Sequence, residues 1–204
     1  MKNIILIQHT QAEHHVNKMV GGDTDWSLTD TGKEQAKNIG VNLKKALGNL
    51  EYKIYSSDMI RTKQTAEIIN EYLNFEIVYR KELRERLEGS AKGKSAEWKK
   101  NNCAQKGNES FLYYRSFPGA ETFEELYNRL LPFINDIEND NAENIIIVGH
   151  GFSFRMLILH LLKIPLKTGE KLIIEASPGG VSFLSENDEK VRMLNVWNDK
   201  SYMK

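Results

Sequence analysis

Asn144-Ile145-Ile146-Ile147-Val148-Gly149-His150-Gly151 decides how this chain is read. Four consecutive β-branched apolar residues leave no polar face, the pattern of a strand covered on both sides in a parallel sheet. The run ends at Gly149-His150-Gly151. The apolar stretch from Phe152 to Leu162 follows with the length of a helix, and Pro165 stops it. The same grammar opens the chain, where Ile4-Ile5-Leu6-Ile7 runs into Gln8-His9-Thr10. Lys53–Ser56 and Glu76–Tyr79 read as two further short strands. Helical patterns span Lys33–Leu47, led into by Asp30-Thr31-Gly32 (apolar at Ala36, Ile39, Val41, Leu43 and Leu47), Met59–Leu73 behind a Ser57-Asp58 cap, and Thr122–Ile137 (Phe123, Leu126, Leu130, Leu131 and Ile134 on one face). Lys171–Glu175, Gly180–Ser185 and Val191–Trp197 finish the chain as β-structure. This alternation predicts an α/β fold: one domain over residues 1–204, with a mostly parallel central sheet and helices on both faces. The polar, Lys-rich segment from about 83 to 117 interrupts it, with one helix around Ser95–Gln105, and its length marks a lid-like excursion.

Composition narrows the function classes. The chain has 204 residues, with 28 Lys and Arg against 28 Asp and Glu, so no global field recruits nucleic acid or an anionic membrane. Cys103 is the only cysteine, which excludes an internal disulfide and a multi-cysteine metal cluster. No apolar run approaches the ~20 residues of a membrane span. The opening Met1–Thr10 lacks a cleavage-site pattern, so the expectation is a cytoplasmic protein without a signal peptide. Oligomeric state has no signature in the sequence.

In an open α/β sheet, ligands bind at the carboxyl ends of the strands. That rule selects the loops at Gln8 and Gly149, and each carries a histidine just past its strand. A lone histidine there is ordinarily a satisfied polar residue, but His9 and His150 together can meet in one crevice. Two imidazoles suit either a metal, which normally needs a third ligand, or phosphoryl transfer, with one as nucleophile and one as phosphate contact.

The surrounding sequence resembles the histidine phosphatase superfamily, the phosphoglycerate mutase-like group also called RHG phosphatases. Six stretches carry the likeness in order: Gln8-His9-Thr10, Leu28–Ala36, Tyr55–Ala66 (with Ser56-Ser57, Arg61 and Gln64-Thr65-Ala66), Leu83-Arg84-Glu85-Arg86, Pro118–Thr122 and Val148-Gly149-His150-Gly151. The resemblance covers roughly residues 3–185. It implies a phosphoglycerate mutase-like fold and a phosphatase acting on a small phosphorylated substrate, with no metal and no cofactor. It implies His9 as the nucleophile that carries the phosphoryl group, Arg61 as a guanidinium clamp, His150 as the second imidazole and Glu85 as general acid. Gln8, Thr10, His15, Arg86 and Gly151 are the expected phosphate and substrate contacts. The chemistry agrees, because cationic donors around the equatorial oxygens of a transferring phosphoryl group supply most of the rate.

The family's Arg-His-Gly reads Gln8-His9-Thr10 here. Gln8 can donate hydrogen bonds but brings no charge, and the Cβ of Thr10 is expected to crowd the phosphate. His15 stands where relatives often place Asn. Two outcomes stay open: a phosphomonoesterase of specialised or reduced activity, or a catalytically impaired phosphate-binding or regulatory domain. A phosphoglycerate mutase is the lesser alternative, since this chain is shorter than those enzymes usually are.

Overall fold

Six strands form one sheet in the computed structural model, which describes residues 2–204. They are β1 (Lys2–Gln8), β2 (Lys53–Ser56), β3 (Ile77–Tyr79), β4 (Asn144–Gly149), β5 (Val181–Glu186) and β6 (Arg192–Asp199), in spatial order β3-β2-β4-β1-β5-β6. The first four are mutually parallel, while β5 and β6 add antiparallel strands at one edge. The helices are α1 (Glu13–Asn17), α2 (Asp30–Leu47), α3 (Ile60–Leu73), α4 (Ala96–Asn102), α5 (Phe123–Asn139), α6 (Gly151–Leu161) and α7 (Leu166–Gly169). The mostly parallel α/β sheet with helices is the one expected.

The central strands are apolar on both faces because both are covered. Ile4, Leu6, Ile145 and Ile147 pack with α5 and α6, whereas Ile5, Ile7, Ile146 and Val148 pack with α2 and α3. Each such side chain contributes roughly 1.5–3 kcal/mol through burial. The chain leaving β1 therefore turns toward one face, and the chain leaving β4 toward the other. Their parallel register, Ile7 beside Val148 and Gln8 beside Gly149, brings the two divergent loops side by side. A crevice opens where adjacent strands send their helices to opposite faces.

Several local expectations are corrected. Lys171–Glu175 is not a strand, and Ile173 is 72% exposed. The segment touches the sheet through a side chain instead, the Trp197 Nε1–H of β6 donating to the Glu175 carbonyl at 2.7 Å. The cap of α3 is Met59, without a side-chain hydrogen bond, rather than Ser57-Asp58. Asp58 instead grips Arg84, and Asp25 reaches in to accept from the Ile60 N–H at 2.7 Å. On α5, Phe133 and Ile137 take the buried positions expected of Phe123 and Leu131. Thr122 and Glu125 close its first turn as a reciprocal cap. On α2, Gly40 is buried where Val41 was expected, and Gly32 has a steric role. A Cβ at position 32 would lie 2.0 Å from the Gln11 carbonyl, so only glycine lets the helix seat against the loop that carries His9.

Candidate active site

His9 sits one residue past β1, 3% exposed, with its backbone N–H donating to the Gly149 carbonyl at 3.0 Å. Its ring is fixed at both nitrogens. Nε2 accepts from Arg61 Nε at 3.2 Å, and a guanidinium can only donate. The proton must then be on Nδ1, which lies 2.8 Å from the Thr10 carbonyl. His9 is therefore a neutral imidazole whose Nε2 lone pair is turned toward the Arg61 guanidinium.

His150 is fully buried at the N-cap of α6, its ring centroid 5.3 Å from that of His9 and edge-on to it. Nε2 lies 3.0 Å from Ser57 Oγ, and Nδ1 has no partner. Arg61, on the first turn of α3, is 1% exposed, and its Nη atoms donate to the Gly22 and Thr24 carbonyls. Burial pushes its guanidinium down to about 10, which still leaves it charged at neutral pH. Glu85 reaches the N-terminus of α6. Its Oε1 accepts from the Ser153 and Arg86 N–H groups and the Ser153 hydroxyl, while Oε2 accepts only from the Phe152 N–H, at 3.1 Å. A helix N-terminus is a favourable seat for a carboxylate. Arg129 clamps this loop from α5, donating to the carbonyls of Glu82, Arg84 and Glu85 while pairing with Glu121.

His9, Arg61 and Glu85 line a cleft of about 450 Å³ with Gln8, His14, His15, Gly151, Glu88, Lys99 and Arg155, while His150 lies buried behind the His9 ring and is not among the lining residues. Gln8 is buried with its Oε1 unpartnered, beside Gly151. Two expected contacts lie elsewhere. Thr10 is fully buried outside the residues that line the cleft, and its hydroxyl donates to the Gly32 carbonyl at 2.7 Å. Arg86 is wedged between Phe123 and Phe152 with its guanidinium near Glu88, neither an exposed ion pair nor a lining residue. Glu88 and Arg155 were missed as site residues, and Lys99, one of the lysines of the polar excursion, reads in sequence as part of a solvated face that could meet an anionic substrate. Their sequence neighbourhoods do not mark them, because each enters the cleft through a tertiary contact: Lys99 from α4 pairs with Glu88, and Arg155 stacks on Phe111 and Phe123.

Burial holds His9, His14, His15 and His150 below the ordinary imidazole range, His14 to about 3. Arg61 adds to this at each of them, and His15 at His14. One nitrogen each of His9, His14 and His15 lie within 4.8 Å of one another. Three imidazoles can attract a metal ion, but the buried guanidinium touching His9 opposes a cation there and favours an anion.

Those depressed values predict acid sensitivity. The unfolded chain takes up these protons as pH falls through about 6.5, whereas the folded chain resists, so stability is complete above that pH and declines below it. For His14 the window runs from 6.5 down to about 3. The fully buried His9 and His150 should each add a slope of up to about 1.4 kcal/mol per pH unit. The urea midpoint should fall steadily from pH 7 to pH 5; a flat midpoint over that range contradicts the neutral-imidazole site.

The family model of the histidine phosphatase superfamily (branch 1) matches residues 4–200. The chain belongs to this superfamily. A broad-specificity phosphatase of Saccharomyces cerevisiae is 30% identical over 178 residues, covering 84% of this chain and 74% of its own. A 2,3-bisphosphoglycerate-dependent phosphoglycerate mutase of Bartonella bacilliformis is 26% identical over 91% of this chain and 92% of its own. Among solved structures, a mycobacterial glucosyl-3-phosphoglycerate phosphatase complexed with VO3 superposes with a TM-score of 0.80. At 21% identity, covering 97% of this chain and 99% of its own, it shares the fold of this histidine phosphatase. Among the described residues no helix is long and apolar enough to cross a membrane.

Proposed function

We propose that the chain is a phosphomonoesterase that hydrolyses a small phosphorylated substrate in two steps through a phosphohistidine at His9. The observation that carries this reading is the His9 ring, held neutral with Nε2 as an acceptor toward a buried guanidinium. In the first step Nε2 forms a bond to phosphorus while the P–O ester bond breaks. The leaving oxygen takes a proton from Glu85, whose Oε2 holds a single donor and has room to carry it. In the second step water attacks the phosphohistidine, Glu85 recovers a proton from that water, and inorganic phosphate leaves with Nε2 free again. Arg61 meets the equatorial oxygens, where negative charge is spread, and His150 backs the site from its buried seat beside the His9 ring. Gln8 and Gly151 line the same wall, and His15 presents its second nitrogen as a neutral donor. A cleft of about 450 Å³ suits a small-molecule substrate.

Hydrolysis of p-nitrophenyl phosphate by the purified chain tests this. Turnover is expected; phosphate binding with no turnover favours the regulatory alternative.

Gln8 sets the level of activity. Its amide is buried and neutral, with Oε1 lacking any donor, so its contribution to a phosphate oxygen is a hydrogen bond without charge. Exchanging a neutral donor for a guanidinium fork adds a charge-assisted bond. Gln8→Arg should therefore tighten competitive inhibition by phosphate about ten- to a hundredfold. An unchanged or weaker inhibition constant would mean that the cleft has no room for the fork beside Gly151.

A further inference from the structure

His14 faces the reaction cleft on the short helix α1, directly after the nucleophile loop, and nothing in the two-step scheme uses it. Its ring lies 5.8 Å from that of His9 and 3.9 Å from that of His15. Its Nδ1 is buried without a hydrogen-bond partner. Other nearby imidazoles are committed: His9 Nδ1 donates to Thr10 and Nε2 must keep its lone pair, and His15 Nδ1 accepts from the Ala12 N–H at 3.0 Å. A proton on His15 Nδ1 would set two donors against each other. His14 has no such restraint.

The charges around the cleft explain why an additional proton is needed. Arg61 from α3 is balanced by Glu85, Asp23 and Asp25, Lys99 from α4 is bound to Glu88, and Arg155 from α6 faces Glu175. His150, the remaining titratable group here, is sealed at the back of the site. Without substrate the cleft is close to neutral, and Gln8 adds nothing. A phosphoryl dianion entering it brings two negative charges into low dielectric, which stabilises the protonated form of any imidazole it touches.

We propose that His14 is the proton-loaded phosphate-binding residue of this enzyme: it is neutral in the empty cleft and becomes an imidazolium donor when a tetrahedral dianion binds, supplying the charge absent at Gln8. This rests on the phosphatase reading for its anion, and it adds a proton that travels with the ligand. Burial and the His15 and Arg61 neighbours hold the empty-state imidazole at about 3, and a dianion about 4 Å away opposes them by several pH units. Anion affinity is then coupled to pH through one side chain, and the site binds more tightly as the solution becomes more acidic.

Tungstate is a tetrahedral dianion that does not titrate near neutrality, so protons taken up on binding come from the protein. Calorimetric titration with tungstate at pH 7, in PIPES and in Tris, reads that number from their different ionisation enthalpies. The wild-type chain should take up close to one proton per anion. His14→Gln should take up less than half of that and bind about ten- to a hundredfold more weakly, the loss of one charged hydrogen bond. His15→Gln should weaken binding but keep the uptake. No uptake by the wild type, or equal uptake by His14→Gln, overturns the proposal. Should His14→Gln fail to fold, histidine-selective NMR of the wild type decides instead: the His14 resonances must move to the imidazolium position on adding tungstate, and their staying at the neutral position overturns it. None of these readouts needs turnover, so an inactive chain that shows the uptake defeats the hydrolase reading and leaves the binding proposal standing.

Discussion

His9→Ala should lower kcat/KM for p-nitrophenyl phosphate on the order of 10³-fold or more. The size follows from what is lost. Alanine removes the Nε2 lone pair of a fixed, neutral ring that lines the cleft, and with it the covalent route that divides the reaction into two easier displacements. Arg61, His150 and Gln8 remain, so phosphate should still bind to the variant, and the defect should fall mainly on kcat. A chemical readout separates this from general damage. Wild-type chain mixed with a labelled aryl phosphate and quenched in alkali should retain label on a histidine, since an N–P bond survives base and is lost in acid. The His9→Ala chain should retain none. Equal rates in the two proteins, or label that persists in the variant, would remove His9 from the mechanism.

The parts of this fold that were legible in sequence are those whose signal is local. Ile145-Ile146-Ile147-Val148 and Ile4-Ile5-Leu6-Ile7 announce buried parallel strands because burial on both faces demands an unbroken apolar run, and the register of β1 on β4 then places His9 and His150 together. Arg61 and Glu85 were picked from a resemblance, and the structure brings both to the same cleft. What was not legible depends on distant partners. Whether Lys171–Glu175 becomes a strand depends on backbone pairing with another part of the chain, which its own residues do not encode. The cap of α3 comes from Asp25, 35 positions earlier. Thr10 looks like an obstruction until its hydroxyl is seen to serve the Gly32 carbonyl, and Arg86 looks like a phosphate ligand until two phenylalanine rings enclose it. Helix α1 escaped notice for a different reason: at five residues it is too short to show a period.

Arg61→Ala should cost about 10²–10⁴-fold in kcat/KM, the range expected when a fixed cationic donor is removed from a phosphoryl-transfer site. Arg61 differs from an ordinary clamp in also holding the cleft together. Its Nη atoms donate to the Gly22 and Thr24 carbonyls, so it ties the segment after α1 to the start of α3, while Nε fixes the tautomer of the nucleophile. Truncation leaves two carbonyls and His9 Nε2 without their donor, and each such loss in a mostly buried setting costs roughly 1–3 kcal/mol. Stability and activity should therefore fall together in Arg61→Ala, with a lower urea midpoint. Arg61→Lys separates the two roles. An ammonium restores the charge but cannot donate to both carbonyls and to His9 from one planar fork. Its activity should lie between those of wild type and Arg61→Ala, with KM recovered more than kcat, because charge attracts the substrate whereas the fork orients the nucleophile. If Arg61→Lys matches wild type in kcat, orientation by the fork is unimportant, and Arg61 acts by charge alone. If Arg61→Ala stays within tenfold of wild type, the guanidinium is a structural tie, and the phosphoryl charge is met elsewhere in the cleft.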